Sequence, residues 1–125
     1  MTEARCELCT PDSVLIEDAL AYVRYDSNSL AQGHILVVPR RHVGNFFDMT
    51  AEEKTAVMSL LDRAQEIVTR QHRPDGYNIG VNVGAAAGQS RMHVHVHLIP
   101  RYTGDVADPR GGIRCVLARR ASPSH

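Results

Sequence analysis

The sequence has no excess charge of either sign: 14 acidic residues balance 14 basic ones. Attachment to DNA, RNA or a membrane surface through bulk charge therefore has no support. No run of about 18 apolar residues occurs, so there is no candidate transmembrane helix. The first residues, Met1-Thr2-Glu3-Ala4-Arg5, lack the apolar centre of a secretory signal. Cysteine is scarce and odd in number. Cys6, Cys9 and Cys115 cannot all pair, so a disulfide framework is not expected and a reducing cytoplasm is the default compartment. Lysine is nearly missing too, since Lys54 alone among the basic residues is not arginine. Arginine suits phosphate recognition, but a codon bias gives the same skew.

What remains is an ordinary composition, 43% hydrophobic and 22% charged over 125 residues, which fits one domain with a real core. The domain is expected to span 1–125, with a frayed tail from about residue 116. Its densest signal is Met92-His93-Val94-His95-Val96-His97-Leu98-Ile99-Pro100. Apolar and histidine positions alternate strictly there, the period of a half-buried strand. Met92, Val94, Val96 and Leu98 are expected on one face and the three imidazoles on the other. A helix would scatter those imidazoles around its circumference. An exposed polar face would need no histidine, and three together concentrate groups that titrate near neutrality.

Upstream, Cys6-Glu7-Leu8-Cys9 is a C-x-x-C knuckle that could be a metal half-site or a redox pair. Thr10-Pro11-Asp12 reads as a turn, whereas a redox pair normally opens a helix. Strands are expected over Ala19 to Asp26 and Gly33 to Pro39, the second nearly all apolar as a central strand should be. Thr50-Ala51-Glu52-Glu53 is a capping box. The helix it opens carries Val57, Leu60, Leu61, Ala64, Ile67 and Val68 at helical spacing and stops at Pro74 and Gly76. Another strand is expected from Tyr77 to Val83. The loop after it, Gly84-Ala85-Ala86-Ala87-Gly88-Gln89-Ser90, is stripped of bulk, so its backbone N–H groups can approach an anion.

Two chemistries compete for the histidines. They could share a catalytic metal, but His93 and His97 lie about 13 Å apart along a strand. Alternatively one imidazole attacks phosphorus and leaves a P–N bond for water to cleave, while the small-residue loop steadies the phosphoryl oxygens. The second reading uses more of the sequence.

His93-Val94-His95-Val96-His97-Leu98-Ile99 resembles the signature of the histidine triad (HIT) family. The resemblance runs from Cys6 to Arg114, through Asp26, Gly33-His34, Pro39-Arg40-Arg41-His42, Asn82 and Gly88-Gln89-Ser90. It implies an α+β fold: a five-stranded antiparallel sheet with one long helix and a short one, dimerising into a ten-stranded sheet. It implies His95 as nucleophile, His97 on the phosphate, His34 as support behind the triad and Asp26 on the ribose. Asn82, Gly88, Gln89 and Ser90 fall at phosphate and leaving-group contacts. Part of the family carries a structural zinc, whose ligands map onto Cys6, Cys9, His42 and His93. The implied activity is hydrolysis at the α-phosphate of a purine nucleotide or dinucleoside polyphosphate. Phosphoramidate cleavage, phosphorolysis, or nucleotide binding with little turnover are the alternatives. The chain departs from the family in having Ser29 where proline is common, and no tryptophan near its end. Asp108-Pro109-Arg110-Gly111-Gly112-Ile113-Arg114 stands there instead, similar to prokaryotic members labelled diadenosine polyphosphate hydrolases. Arg110 and Arg114 are expected near the active site, of this chain or of a partner subunit, reading the farther phosphates, with an exposed loop whose arginines pair with Asp105 or Asp108 as the alternative.

Overall fold

Thr50 and Glu53 start α1, which runs Ala51–His72. Glu53 N–H donates to Thr50 Oγ1 at 3.0 Å and Thr50 N–H donates to Glu53 Oε1 at 2.8 Å, so the capping box forms as its residues predict. The computed structural model describes residues 6–117. Met1 to Arg5, and the expected tail beyond residue 117, lie outside them. Among the described residues α1 is the one α-helix. The short helix implied by the resemblance is represented only by 3-10 turns, at Glu7–Cys9, Phe46–Asp48, Ala85–Ala87 and Gly112–Val116.

The sheet comprises β1 (Val14–Glu17), β2 (Ala21–Tyr25), β3 (Ile35–Pro39), β4 (Gly76–Gly80) and β5 (Val96–Arg101), in the order β1-β2-β3-β5-β4, antiparallel throughout. Every residue of β3 is buried, as its apolar run predicts for a strand covered on both faces. On one face α1 packs Val57, Leu60, Leu61, Ala64 and Val68 against Ala21, Val23, Ile35, Val37, Val96 and Leu98. On the other, the N-terminal knuckle covers Tyr22, Leu36 and Val38 with Leu8, and Tyr22 Oη donates to Leu8 O at 2.6 Å. Gly33 opens β3 with φ +84°, and a Cβ there would meet the His72 ring at 2.8 Å. The strand entrance and the helix end thus close on each other only over glycine.

Register places a row of residues across the face opposite α1: Gly80 beside His97, His97 beside Leu36, and Leu36 beside Arg24. This row is the floor on which the candidate site stands.

Candidate active site and metal site

The triad is not a strand throughout. β5 begins at Val96, so of the three histidines only His97 lies in the ladder. Alternating burial holds from Val94 onward, but Met92 is half exposed and His93 fully buried, against the expected pattern. The partner strand explains the break. β3 ends at Pro39, which has no N–H to continue the ladder, and Pro39 O instead lies 2.7 Å from His93 Nε2. Val81 to Val83, expected to extend β4, also fall outside the sheet. Their partners would be Val96 to Val94, on the N-terminal side of His97, and the β4 ladder ends at the Gly80–His97 pair.

The hydrogen bonds fix which ring nitrogens carry protons. His95 Nδ1 lies 2.8 Å from His93 O. A carbonyl only accepts, so Nδ1 keeps the proton and the neutral ring presents an Nε2 lone pair. Behind it, Leu30 N–H donates to His34 Nδ1 at 3.1 Å. Neutral His34 therefore bears its proton on Nε2, 3.0 Å from His97 Nδ1 and 3.3 Å from Asp26 Oδ2. His97 Nδ1 is then an acceptor and Nε2–H a donor. Asp26, His34 and His97 are close enough to suggest a metal site. An ion would need a lone pair on His34 Nε2, which the Leu30 bond denies to a neutral ring. The trio is a hydrogen-bond chain.

Burial lowers the pKa of His34 against the pull of Asp26. Burial likewise brings His97 down to about 4, reinforced by His95 and His34 and opposed by Asp26. An unfolded imidazole titrates near 6.5, so between these values the unfolded chain binds more protons. Stability from His97 is complete above pH 6.5 and is lost as pH falls toward 4, by up to about 3 kcal/mol. Urea unfolding at pH 7 and 4.5 should show a smaller acid loss in His97→Gln than in the wild type. An identical loss in both would identify another titrating group.

Asp26, Asn82, Gly88, Ser90, His95 and His97 all line one cleft of about 200 Å³. A larger hollow of about 560 Å³, bounded by Leu30, Ile99 and Tyr102, contains none of the histidines. Gln89 stands apart from the other expected contacts. Its side chain is buried, with Oε1 accepting from Gly84 N–H at 2.8 Å and Nε2 donating to Gly44 O at 2.7 Å and Arg91 O at 3.0 Å. It shapes the loop rather than facing the cleft. Gly88, at φ +94°, supplies the left-handed turn between the 3-10 segment and Ser90. Arg110 forks onto Asp108 on the surface, with Nε and Nη2 each 3.0 Å from a carboxylate oxygen. Neither Arg110 nor Arg114 lines the cleft of this chain; Arg91 does. Sequence reasoning passed over Arg91, whose signal was a lone cation placed directly between Gly-Gln-Ser and the triad.

Cys6, Cys9, His42 and His93 converge on the far side of His93, their ligand atoms all within 4.8 Å of one another. Cys6 Sγ lies 3.3 Å from His93 Nδ1, and Cys9 Sγ lies 3.1 Å from His42 Nδ1. His93 Nε2–H donates to Pro39 O, which leaves Nδ1 as a lone pair aimed at the sulfurs, the arrangement a metal-bound imidazole needs. His42 is steadied from outside. Its neighbour Arg41 grips buried Glu53 with Nε and Nη2, at 2.9 and 2.8 Å. That grip holds the Glu53 carboxyl down to about 2. Two thiols and two imidazoles are the donor set of a closed, structural zinc site.

The HIT domain model matches residues 7–104. The chain belongs to the HIT family. It is 36% identical over 93 residues to an AP-4-A phosphorylase of Mycobacterium tuberculosis, covering 74% of this chain and 48% of that protein. It is 37% identical over 76 residues to an asymmetrical bis(5'-nucleosyl)-tetraphosphatase of Schizosaccharomyces pombe, covering 61% of this chain and 42% of the relative. This HIT chain thus spans about half the length, or less, of these two relatives. A Zn-bound histidine triad protein of Mycobacterium smegmatis superposes with TM-score 0.74 at 28% identity, over 82% of this chain and 79% of that one. The five-stranded sheet with one long helix is the HIT fold, and the Cys/His cluster of this HIT chain could hold a metal.

Proposed function

We propose that this HIT protein cleaves nucleotides at the α-phosphate through a nucleotidyl–His95 intermediate. The observation that carries the reading is the His95 Nδ1–H bond to His93 O, which leaves Nε2 free for attack beside the His97 Nε2–H donor. Nε2 forms a bond to phosphorus as the bond to the leaving group breaks, and the leaving group departs with its electron pair. Water then attacks phosphorus and the P–N bond returns its electrons to Nε2. His97 and the backbone around Gly88 and Ser90 hold the phosphoryl oxygens. Asp26 accepts from the ribose hydroxyls, and Asn82 and Ser90 contact the phosphate side. Gln89 acts through the loop it braces. Zinc on Cys6, Cys9, His42 and His93 is structural.

The substrate class is a purine nucleotide conjugate, with dinucleoside polyphosphates favoured by the names of the two relatives. The same names keep phosphorolysis open as a second reading. Offering diadenosine tetraphosphate with and without inorganic phosphate, and adenosine phosphoramidate alongside, separates the cases. A hydrolase gives AMP and ATP, a phosphorylase gives ADP and ATP only when phosphate is present, and a phosphoramidase prefers the amide. No product from any of them would leave a nucleotide-binding protein. β4 is an edge strand and its Ile79 is half exposed, which supports a homodimer joined there into a ten-stranded sheet. The cysteines, none of which forms a disulfide among the described residues, fit a cytoplasmic setting.

A further inference from the structure

One charge in the cleft has no part in the chemistry above. Arg91 lines it beside Ser90 and His95, and no other lysine or arginine does so among the described residues. Asp26 contributes a negative charge to the same space, and His34 and His97 are held neutral by burial. A polyphosphate entering the cleft would bring several negative charges and meet one formal cation. Arg91 Nη1 lies 2.7 Å from Oε1 of Glu7, which sits between the two knuckle cysteines. The two side chains are 41% and 53% exposed. Such an ion pair is weak, and exchanging its carboxylate for a phosphate leaves no buried charge unpaired. The arginine fork suits phosphate oxygens at least as well as a carboxylate.

We infer that Arg91 reads the phosphates beyond the one attacked, and that Glu7 holds its guanidinium at the mouth of the cleft until a polyphosphate displaces it. Arg91 is thus a specificity residue and Glu7 its exchangeable partner. The inference rests on the nucleotidyl-transfer reading. It also assigns the knuckle a second task, since the turn that carries two metal ligands presents the carboxylate that parks Arg91.

Titration of AMP, ADP and ATP into the zinc-loaded full chain tests it. Wild-type affinity should rise with phosphate number. Arg91→Met should weaken ATP by about ten- to a hundredfold and AMP by less than about threefold, flattening the series. Arg91→Lys should restore part of the slope, as a point charge without the fork. Glu7→Gln should tighten ATP by about two- to fivefold through loss of the competing pair. Unchanged thermal midpoints show that each variant is folded. Equal weakening of AMP and ATP by Arg91→Met would overturn the inference while leaving the functional reading intact, and so would no weakening at all. Failure of the wild type to bind any of the three nucleotides would overturn both.

Discussion

Replacing His95 with alanine is expected to lower turnover at least about 10⁴-fold while changing nucleotide affinity by only a few fold. The asymmetry follows from the geometry. In the proposed reaction His95 meets the phosphorus with one atom, Nε2, since its other nitrogen is spent on His93 O. The remaining contacts are spread over Asp26, Asn82, Ser90 and His97 around the same cleft. Loss of the attacking atom removes the two-step route and leaves only direct attack by water. Denaturing the wild type in alkaline detergent during turnover, where a P–N bond survives, should trap nucleotide on the protein, and the variant should trap none. A variant that keeps a near wild-type rate would show that His95 is not the nucleophile. A labelled adduct persisting in the variant would place the nucleophile elsewhere.

The features legible in sequence were those with short-range grammar. Thr50 to Glu53 announced the start of α1, the all-apolar run after His34 announced a strand buried on both faces, and the alternating histidines announced a cleft face. Strand ends were harder to read. Strict alternation from Met92 to Leu98 says nothing about what lies alongside, and Pro39 in the neighbouring strand ends the pairing before the first two histidines join it. The consequence is functional: His93 rotates off the row and under the cysteines, while His95 stays at the cleft. The tautomers were equally invisible, because they depend on Leu30 N–H, His93 O and Pro39 O, backbone groups that no motif names. Gln89 shows the limit of carrying a role by position. It falls at the matching place, yet its amide is consumed by the backbone of Gly44, Gly84 and Arg91. Arg91 and Glu7 are 84 positions apart, a separation across which sequence pattern carries no information.

Protein purified without chelator should contain about one zinc per chain, and its removal should cost stability on the order of 4 kcal/mol or more, about 15 °C in Tm. The knuckle has little else to hold it: Leu8 is its one fully buried side chain, packed with Tyr22, Leu36 and Val38. Without an ion, four ligand groups stand within 4.8 Å of one another with no charge to bind them. Cys6→Ser should reproduce the loss, and added chelator should then change nothing further. The chemical step should respond far less than the stability. His93 turns its ring to the Cys6 sulfur and its carbonyl to His95, so the two tasks meet in one residue but use different atoms. Pro39 O also grips the ring independently of the metal, at 2.7 Å from Nε2. The folded fraction of the metal-free protein should therefore keep its kcat within about tenfold, far above the His95→Ala level. Thermal melts with metal analysis, paired with turnover below the melting range, measure both. A metal-free protein of unchanged Tm would remove zinc from the fold, and a collapse of kcat to the His95→Ala level would mean that the metal, through His93, sets the geometry of the nucleophile.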